Sequence, residues 1–292
     1  MLEFRDIQIS DKKWIDELLS LSDFMGCEYS FANHLAWRRQ NDSVICRYKD
    51  FYIVRSGKEN PVFTFPAGKG DYKDVLFMIK AYAESLGNKA VIWNASAQQI
   101  SLINEIFDNK TQVLCDESQY DYIYLAKELA EFKGKKFHSK KNHLNAFKKY
   151  NWSFEELTEK DFDECIVFCA NDYTNNNREE HHSAVAEQFA IHTYFMNYHE
   201  LGLKGGILRV DGKIVAVSIG ERLNSETFVV HIEKADTSYR GAYTAMCNEF
   251  VKHFATDVKY INREEDLGIE GLRKSKKSYN PVFLLQKDII TF

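Results

Sequence analysis

The stretch DGKIVAVSIGERLNSETFVVHIEKADTSYRGAYTAMCNEF, residues 211–250, carries the clearest structural signal in the chain. Asp211-Gly212 is a strong turn pair and predicts a hairpin between strands at 206–210 and 213–221. A third strand is predicted at 227–233, and a helix follows from Gly241 to residue 254. Unpaired amides and the helix dipole favour an anion at a helix N-terminus. The segment therefore predicts three antiparallel strands, then a glycine turn that can accept a phosphate.

The same order of elements occurs in both halves of the chain. Each half reads as strand, helix, helix, three antiparallel strands, helix, strand, helix and strand. The match is in pattern and not in residue identity. It predicts two duplicated α/β domains with mixed sheets, at residues 1–130 and 131–292. A lysine-rich helix at the start of the second domain is expected to connect them.

The composition fits a folded globular protein. The chain has 292 residues, 45% of them hydrophobic, and three prolines, so a long flexible linker is not expected. A net charge of −5 does not by itself imply nucleic acid. No apolar run reaches the roughly 20 residues of a membrane span, and the N-terminus does not resemble a signal peptide. The sequence therefore predicts a cytoplasmic protein without a membrane span.

Two glycine loops match the position of a coenzyme-binding turn. They are FPAGKGDYKD at 65–74 and ADTSYRGAYTA at 235–245. Their place, after three antiparallel strands and before a helix, resembles the GNAT (N-acetyltransferase) fold, in which splayed strands open a cleft. GNAT enzymes usually carry Gln/Arg-x-x-Gly-x-Gly/Ala here. Gly68, Gly70 and Gly241 fit this pattern, whereas Phe65 departs from it in the first loop and Ser238 and Tyr243 depart from it in the second. A purely structural turn is therefore the alternative for either loop.

Three segments resemble the C-terminal domain of phosphatidylglycerol lysyltransferase. They are GKKFHSKKNHLNAFKK (134–149), residues 211–250 and INREEDLGIEGLRKSKKSYNP (261–281). The resemblance implies tandem duplicated GNAT-like acyltransferase domains, related to the Fem peptidyltransferases, that move an acyl or aminoacyl group onto an amine or hydroxyl. It implies aminoacyl-tRNA or acyl-CoA as co-substrate, with no tightly bound cofactor. The membrane enzyme takes lysine from lysyl-tRNA. The expected partners are thus tRNA and a small-molecule, lipid-headgroup or peptide acceptor.

The segment 261–281 places a dense acidic group directly before a dense basic one. Glu264 and Asp266 alternate on a predicted extended chain, so both carboxylates are expected to face one cleft, where they would bind an amine or act as general base. Mutual pairing of the acids and bases across the turn is the alternative. Lys276 is expected to be solvent-exposed. Three further cations are expected to neutralise a phosphate: Arg273, Lys274 and Lys277.

His231 and Glu233 alternate on the third predicted strand and should share one face. A histidine with a near-neutral pKa is a candidate to remove the acceptor's proton, although a structural role is the alternative. Tyr239, Arg240 and Gly241, which follow this strand, are candidate donor contacts. Tyr279 is a further candidate, and packing is the alternative for Tyr239, Arg240 and Tyr279.

The segment 133–149 carries seven lysines, two histidines and no acid. Phe137, Leu144 and Phe147 are spaced for one helical face, which leaves lysines on the other. The cationic face is either a solvated surface or a binding surface for RNA or a headgroup, since lysine and arginine supply most phosphate contacts. Four lysines are the candidate contacts: Lys140, Lys141, Lys148 and Lys149.

Metal chemistry and hydrolase chemistry are not predicted. The run Arg178–His182, with His192 and His199 further on, has no ligand spacing such as HExxH. Neither a GxSxG nucleophile motif nor a P-loop occurs. The main functional hypothesis is a transferase, and the alternative is a non-catalytic, degenerate GNAT-fold module that binds RNA, a peptide or a small ligand.

Overall fold

The computed structural model describes residues 2–175 and 181–292, with side chains for 2–170 and 185–292. The helices are α1 (Lys12–Ser22), α2 (Phe31–Trp37), α3 (Tyr72–Ser85), α4 (Ala97–Ile106), α5 (Ala126–Glu131), α6 (His138–Phe147), α7 (Phe162–Asn175), α8 (His181–Met196), α9 (Tyr198–Leu201), α10 (Ala242–Phe254) and α11 (Glu270–Lys277). The strands of the first half are β1 (Arg5–Asp6), β2 (Val44–Tyr48), β3 (Phe51–Ser56), β4 (Val62–Phe63), β5 (Ala67–Gly68), β6 (Val91–Ala95), β7 (Gln112–Leu114) and β8 (Asp121–Leu125). Those of the second half are β9 (Trp152–Glu156), β10 (Lys204–Val210), β11 (Lys213–Arg222), β12 (Thr227–Ala235), β13 (Tyr260–Asn262), β14 (Phe283–Leu285) and β15 (Asp288–Thr291).

The chain groups into two compact units. Unit 1 comprises Met1–Asp121, Glu265–Glu270 and Leu284–Phe292, and unit 2 comprises Tyr122–Glu264 and Gly271–Phe283. These bounds differ from the predicted division into 1–130 and 131–292 because a strand near the end of each half joins the sheet of the other half. The first sheet runs β1-β2-β3-β4-β6-β15-β7, and the second runs β14-β8-β13-β12-β11-β10-β9.

Both sheets are mixed, which confirms the predicted α/β class. In the first, β4 and β6 are parallel and their neighbours are antiparallel. Its core is formed by apolar side chains such as Ile53, Phe63, Val75 and Ile92. In the second sheet, α10 packs against β10, β11 and β12. None of the helices in the described ranges combines the length and the apolar character that a membrane crossing requires.

The hairpin at Asp211-Gly212 is confirmed. Asp211 has φ 50° and Gly212 has φ 81°, and β10 and β11 pair directly on either side of them. Two successive residues with positive φ are typical of the tight turns whose twist matches that of the flanking strands. The sequence located this turn because few residue pairs other than Asp-Gly adopt it at low cost.

Helix α6 is the predicted lysine-rich helix, and it packs on α10 within unit 2. Phe137, Leu144 and Phe147 are all buried, as their spacing predicts. The contact is tight at Gly241, the residue before α10, which has φ 92°. A Cβ at this position would collide with the backbone carbonyl of His143.

Gly241→Ala is expected to destabilise unit 2 more than Gly212→Ala. Both glycines have positive φ, so each substitution costs about 1 kcal/mol in backbone conformation. Only Gly241 also meets a neighbouring backbone, whereas a Cβ at Gly212 meets nothing within 4 Å. We expect a further loss of about 2 kcal/mol at Gly241. Urea denaturation of both variants measures the difference, and equal losses would contradict the close approach of α6.

Candidate active site

Strands β12 and β13 diverge in the second sheet. They pair in parallel over three positions, from Thr227 with Tyr260 to Val229 with Asn262, and β12 then continues alone on this side as far as Ala235. On its other side β12 stays paired with β11, through a bulge in which His231 is the extra residue. The gap that opens beyond Val229 is crossed by ionisable side chains.

His231 lies between two carboxylates. Its Nδ1 is 2.9 Å from Glu264 Oε1 and its Nε2 is 3.2 Å from Glu221 Oε1. The ring stacks on Tyr194 of α8, with 5.2 Å between centroids and an interplanar angle of 10°. The imidazole has no exposed surface, whereas 20% of the Glu264 side chain is exposed. His231 therefore fixes the position of Glu264, which is the most exposed member of this group, since 12% of the Glu221 side chain is exposed.

The charge state of His231 follows from these contacts. Burial alone would lower its pKa, but the hydrogen bonds to Glu221 and Glu264 outweigh burial and raise the pKa to about 9. At neutral pH the ring is thus a cation that donates to both carboxylates. This geometry does not supply the near-neutral histidine base suggested by the sequence, and it favours Glu264 as the proton acceptor.

Glu233 and Arg263 form the second ion pair across the gap. Arg263 Nη2 donates to Glu233 Oε1 at 2.7 Å, and the guanidinium lies 4.4 Å from the centre of the Tyr279 ring. The expectation that Lys276 is solvent-exposed is wrong, because this residue is buried and donates to the carbonyl of Arg263 at 2.6 Å. The bond anchors α11 to the turn that follows β13.

The turn after β13 is not the extended chain that the alternation of Glu264 and Asp266 requires. Glu264 has φ 56°, and its amide donates to the side chain of Asn262 at 2.7 Å. Glu264 belongs to unit 2 and Asp266 to unit 1. Asp266 is buried and accepts a hydrogen bond from the amide of Gly268 at 2.8 Å. This hydrogen bond lies within its own loop, as in an Asx turn.

The candidate phosphate contacts differ in exposure. Arg240, Lys274 and Lys277 are exposed, whereas Tyr239 and Arg273 are half-buried. Tyr239 packs edge-on against Tyr150, with 5.4 Å between ring centroids. At Gly241 the carbonyl of His143 approaches the turn that would hold a coenzyme pyrophosphate in the GNAT manner. A carbonyl oxygen is itself a hydrogen-bond acceptor, so it does not favour an anion there.

Lys140 is buried, unlike the other candidate lysines on and beside α6. It is buried, it donates to Ser278 Oγ at 2.6 Å, and its Nζ lies 3.4 Å from the centre of the Tyr279 ring. Burial, followed by repulsion from Arg263, lowers its pKa to about 8. Lys141, Lys148 and Lys149 are exposed, as predicted for a cationic surface.

Unit 1 contains a buried charged group that the sequence did not reveal. Lys287 Nζ lies 2.7 Å from Asp121 Oδ1 and 3.0 Å from Glu28 Oε2, and Lys287 and Asp121 are fully enclosed. Cys27, Asp121 and Glu265 have ligand atoms close enough for a metal ion, but the ammonium of Lys287 already contacts Asp121 and lies 3.6 Å from Cys27 Sγ. The positive charge beside these acidic side chains is thus supplied by the ammonium group of Lys287. The run Arg178–His182 lies outside the described side chains.

Sequence reasoning also missed Glu221 and Tyr194 in the His231 group. Glu221 stands on β11 and Tyr194 on α8, so neither is a sequence neighbour of His231. The available signal was the position of Glu221 directly after the continuous buried run 214–220 of β11.

The two mixed sheets and the gap between β12 and β13 define a tandem GNAT-like fold. The sequence matches the family described as phosphatidylglycerol lysyltransferase, C-terminal, over residues 19–287, and the chain belongs to that family. The predicted recognition and fold are thereby confirmed.

Solved structures agree with this assignment. A conserved protein of unknown function from Bacteroides thetaiotaomicron is 37% identical, with all of both chains covered and a TM-score of 0.96. The C-terminal domain of a putative lysylphosphatidylglycerol synthetase from Agrobacterium fabrum is 13% identical, with 97% of this chain and 91% of that chain covered and a TM-score of 0.70. FemX is 9% identical, with 99% and 96% covered and a TM-score of 0.66. The last two likenesses concern the fold.

Proposed function

We propose that the protein transfers an aminoacyl group from aminoacyl-tRNA to an amine or hydroxyl acceptor. The observation that carries the proposal is the partly exposed carboxylate of Glu264, held by His231 where β12 and β13 diverge. In this fold the gap between the two strands is where donor and acceptor would meet. A fixed carboxylate at that place suits an acceptor that must lose a proton.

The reaction assigned to the site is an acyl transfer, which forms an amide with an amine acceptor and an ester with a hydroxyl acceptor. The acceptor's nitrogen or oxygen attacks the carbonyl carbon of the aminoacyl ester, and Glu264 takes the proton that the acceptor loses. The bond to the tRNA 3′-terminal ribose oxygen breaks, and that oxygen receives the proton as it leaves. His231 stays protonated and positions Glu264. Most of the rate enhancement would come from orienting the two substrates, and the step needs no covalent enzyme intermediate.

Two features favour tRNA over acyl-CoA as the donor. The carbonyl of His143 lies against Gly241, where a coenzyme pyrophosphate would otherwise bind the amides of α10. Lys141, Lys148 and Lys149 present exposed positive charge on and beside α6, which suits a nucleic-acid backbone. The acceptor is proposed by class only: a small molecule, a lipid headgroup or a peptide.

A transfer assay tests the proposal. The purified protein is incubated with tRNA charged with a mixture of labelled amino acids and with amine, glycerophospholipid and peptide acceptors, and a parallel arm supplies labelled acyl-CoA. Label passing from tRNA to an acceptor supports aminoacyl transfer. Label passing only from acyl-CoA would overturn the choice of donor. Binding of charged tRNA without transfer to any acceptor would favour the non-catalytic module.

Replacing Lys141, Lys148 and Lys149 together with alanine is expected to weaken tRNA binding and its salt dependence. Each phosphate contact adds about 0.9 to the slope of log affinity against log salt concentration. The triple variant should therefore lower that slope by about two to three. Fluorescence anisotropy of labelled tRNA at several salt concentrations measures it.

A variant of equal charge provides the control for this measurement. It replaces three exposed lysines elsewhere: Lys13, Lys73 and Lys213. The control should keep most of the original slope, because its lysines are scattered. An equal reduction in both variants would show that net charge alone governs binding and would contradict an interface at α6.

A further inference from the structure

Strand β7 is an edge strand of the first sheet and belongs to unit 1. It pairs with β15 in antiparallel register, from Gln112 opposite Thr291 to Leu114 opposite Ile289. It stands last in the strand order, and none of the strands in the described ranges pairs with its other side. An edge strand presents unpaired backbone N–H and C=O groups, to which a further strand can add.

The residues of β7 do not protect this edge. Edge strands are commonly protected by a lysine or a proline within the strand, or by a bulge. Residues 111–115 read TQVLC, so this segment contains neither a charged residue nor a proline. The side chains of Val113 and Leu114 are 45% and 63% exposed. The edge therefore combines open backbone groups with exposed apolar side chains.

Helix α3 adds apolar surface beside this edge. Phe77 is 45% exposed and packs on Phe107 of unit 1, with 5.0 Å between the ring centroids. Lys80, which follows Phe77 by about one helical turn, lines a surface cavity together with Gln112 of β7. The exposed apolar side chains on this side of unit 1 are thus contributed by the strand and by the neighbouring helix.

The charges that flank β7 are complementary to each other. Lys110 is exposed and lies three residues before Val113, and Asp116 lies three residues after it. Asp116 has an extended backbone, with φ −135° and ψ 92°. In an antiparallel pair of identical strands with Val113 opposite itself, Lys110 lies opposite the second copy's Asp116, and symmetry produces this pairing twice. Opposite charges placed in this way stabilise a strand pair.

The neighbouring registers lack this complementarity. Directly opposite residues of an antiparallel pair point to the same face, so the register of two identical strands can change only in steps that place another residue on the two-fold axis. With Gln112 on the axis, Asp108 would lie towards Asp116, and like charges destabilise the pair. With Leu114 on the axis, Lys110 would lie opposite the uncharged Ser118.

We propose that β7 pairs in antiparallel orientation with β7 of a second copy of this chain, with Val113 on the two-fold axis. The first sheets of the two copies then form one continuous sheet. The same patch serves both copies, so the contact is closed and the assembly ends at a dimer. The paired segments are short and the interface is small, so we expect a Kd in the micromolar range. The dimer requires none of the groups assigned to aminoacyl transfer.

Sedimentation equilibrium of the full chain, from low micromolar to submillimolar concentration, tests the dimer. We expect a monomer–dimer equilibrium without larger species. Lys110→Glu puts a carboxylate opposite Asp116 and should weaken association about tenfold or more. Lys73→Glu makes the same charge change at an exposed position of α3 and should leave the Kd unchanged. A protein that is monomeric at every concentration would overturn the proposal, as would an unchanged Kd in Lys110→Glu.

Disulfide trapping tests the position of the axis. Val113→Cys is prepared in a Cys115→Ser background, in which all remaining cysteines are buried. Opposed Cα atoms of an antiparallel pair lie about 4.5–5.5 Å apart, within the range of a disulfide. Thr111→Cys in the same background is the control, because its two copies would be separated by about 13 Å along the strands.

With oxidised glutathione as the oxidant, Val113→Cys should form the covalent dimer about tenfold faster than Thr111→Cys. Equal rates, in variants whose Tm shows that both are folded, would overturn the proposed register.

Discussion

Replacing Glu264 with glutamine is expected to lower the rate of aminoacyl transfer about 100- to 1,000-fold while the protein stays folded. Glutamine keeps the size of the side chain and an oxygen that can accept from His231 Nδ1, but it cannot take a proton from the acceptor. The loss of a positioned general base has an effect of this size. The measurement is kcat/KM for a fixed charged tRNA and acceptor, together with Tm.

The control for this prediction is Glu226→Gln, which changes an exposed glutamate on the loop between β11 and β12. It should leave both kcat/KM and Tm unchanged. A Glu264→Gln variant that transfers at the original rate would remove Glu264 from the mechanism. A variant that loses activity only because it unfolds would be recognised by its lower Tm.

The pH dependence of stability separates the positioning role of His231 from catalysis. Its pKa in the folded protein, about 9, lies above the ordinary value of 6.5. Its contribution to stability is therefore fully present below pH 6.5 and is lost as pH rises through about 9. In Glu264→Gln one of the two carboxylates that raise this pKa is gone, so stability should change less between pH 6.5 and 9. Urea denaturation of both proteins between pH 6.5 and 9 measures this change in unfolding free energy.

The sequence predicted those parts of the fold that depend on local patterns. Asp211-Gly212 located the hairpin, and the spacing of Phe137, Leu144 and Phe147 gave the buried face of α6. The exchange of β8 and β15 between the sheets could not be predicted in this way. Both strands pair with segments that are distant in sequence, and their residues would suit either sheet.

For the candidate site, the sequence located the residues that lie together but not the backbone geometry of the turn that holds Glu264. His231, Glu233 and Glu264 do lie at the gap between β12 and β13, because strand alternation placed the first two on one side. The extended turn at Glu264 was wrong, since a left-handed residue has no distinctive signal when it is not glycine. Lys140 and Lys276 looked like solvated lysines because both stand in runs of charge. Their burial depends on Tyr279, Ser278 and the carbonyl of Arg263, and for Lys140 these partners are distant in sequence.

In unit 1, Lys287→Met is expected to cost about 3–5 kcal/mol of unfolding free energy at pH 8, because it leaves buried carboxylates without their cation. Asp121 has no exposed surface and Glu28 has 11%.

The three tryptophans Trp14, Trp37 and Trp93 belong to unit 1, and Trp152 belongs to unit 2. Urea denaturation followed by fluorescence in a Trp152→Phe background therefore reports unit 1. Lys73→Met, at an exposed position of α3, is the matched control and should cost less than about 0.5 kcal/mol.

The cost of Lys287→Met should be smaller at pH 5.5 than at pH 8. Burial raises the pKa of Glu28 to about 7, against the opposing effect of Lys287. A carboxyl whose folded pKa lies above its unfolded value takes up a proton on folding, so its burial penalty is absent below about pH 4.5 and complete above about pH 7. Without Lys287 the penalty at pH 8 grows, whereas protonation at pH 5.5 removes most of it. Adding Asp121→Asn to Lys287→Met should recover part of the loss at pH 8, since one unpaired charge disappears. An equal cost at both pH values would mean that lost packing, and not unpaired charge, sets the role of Lys287.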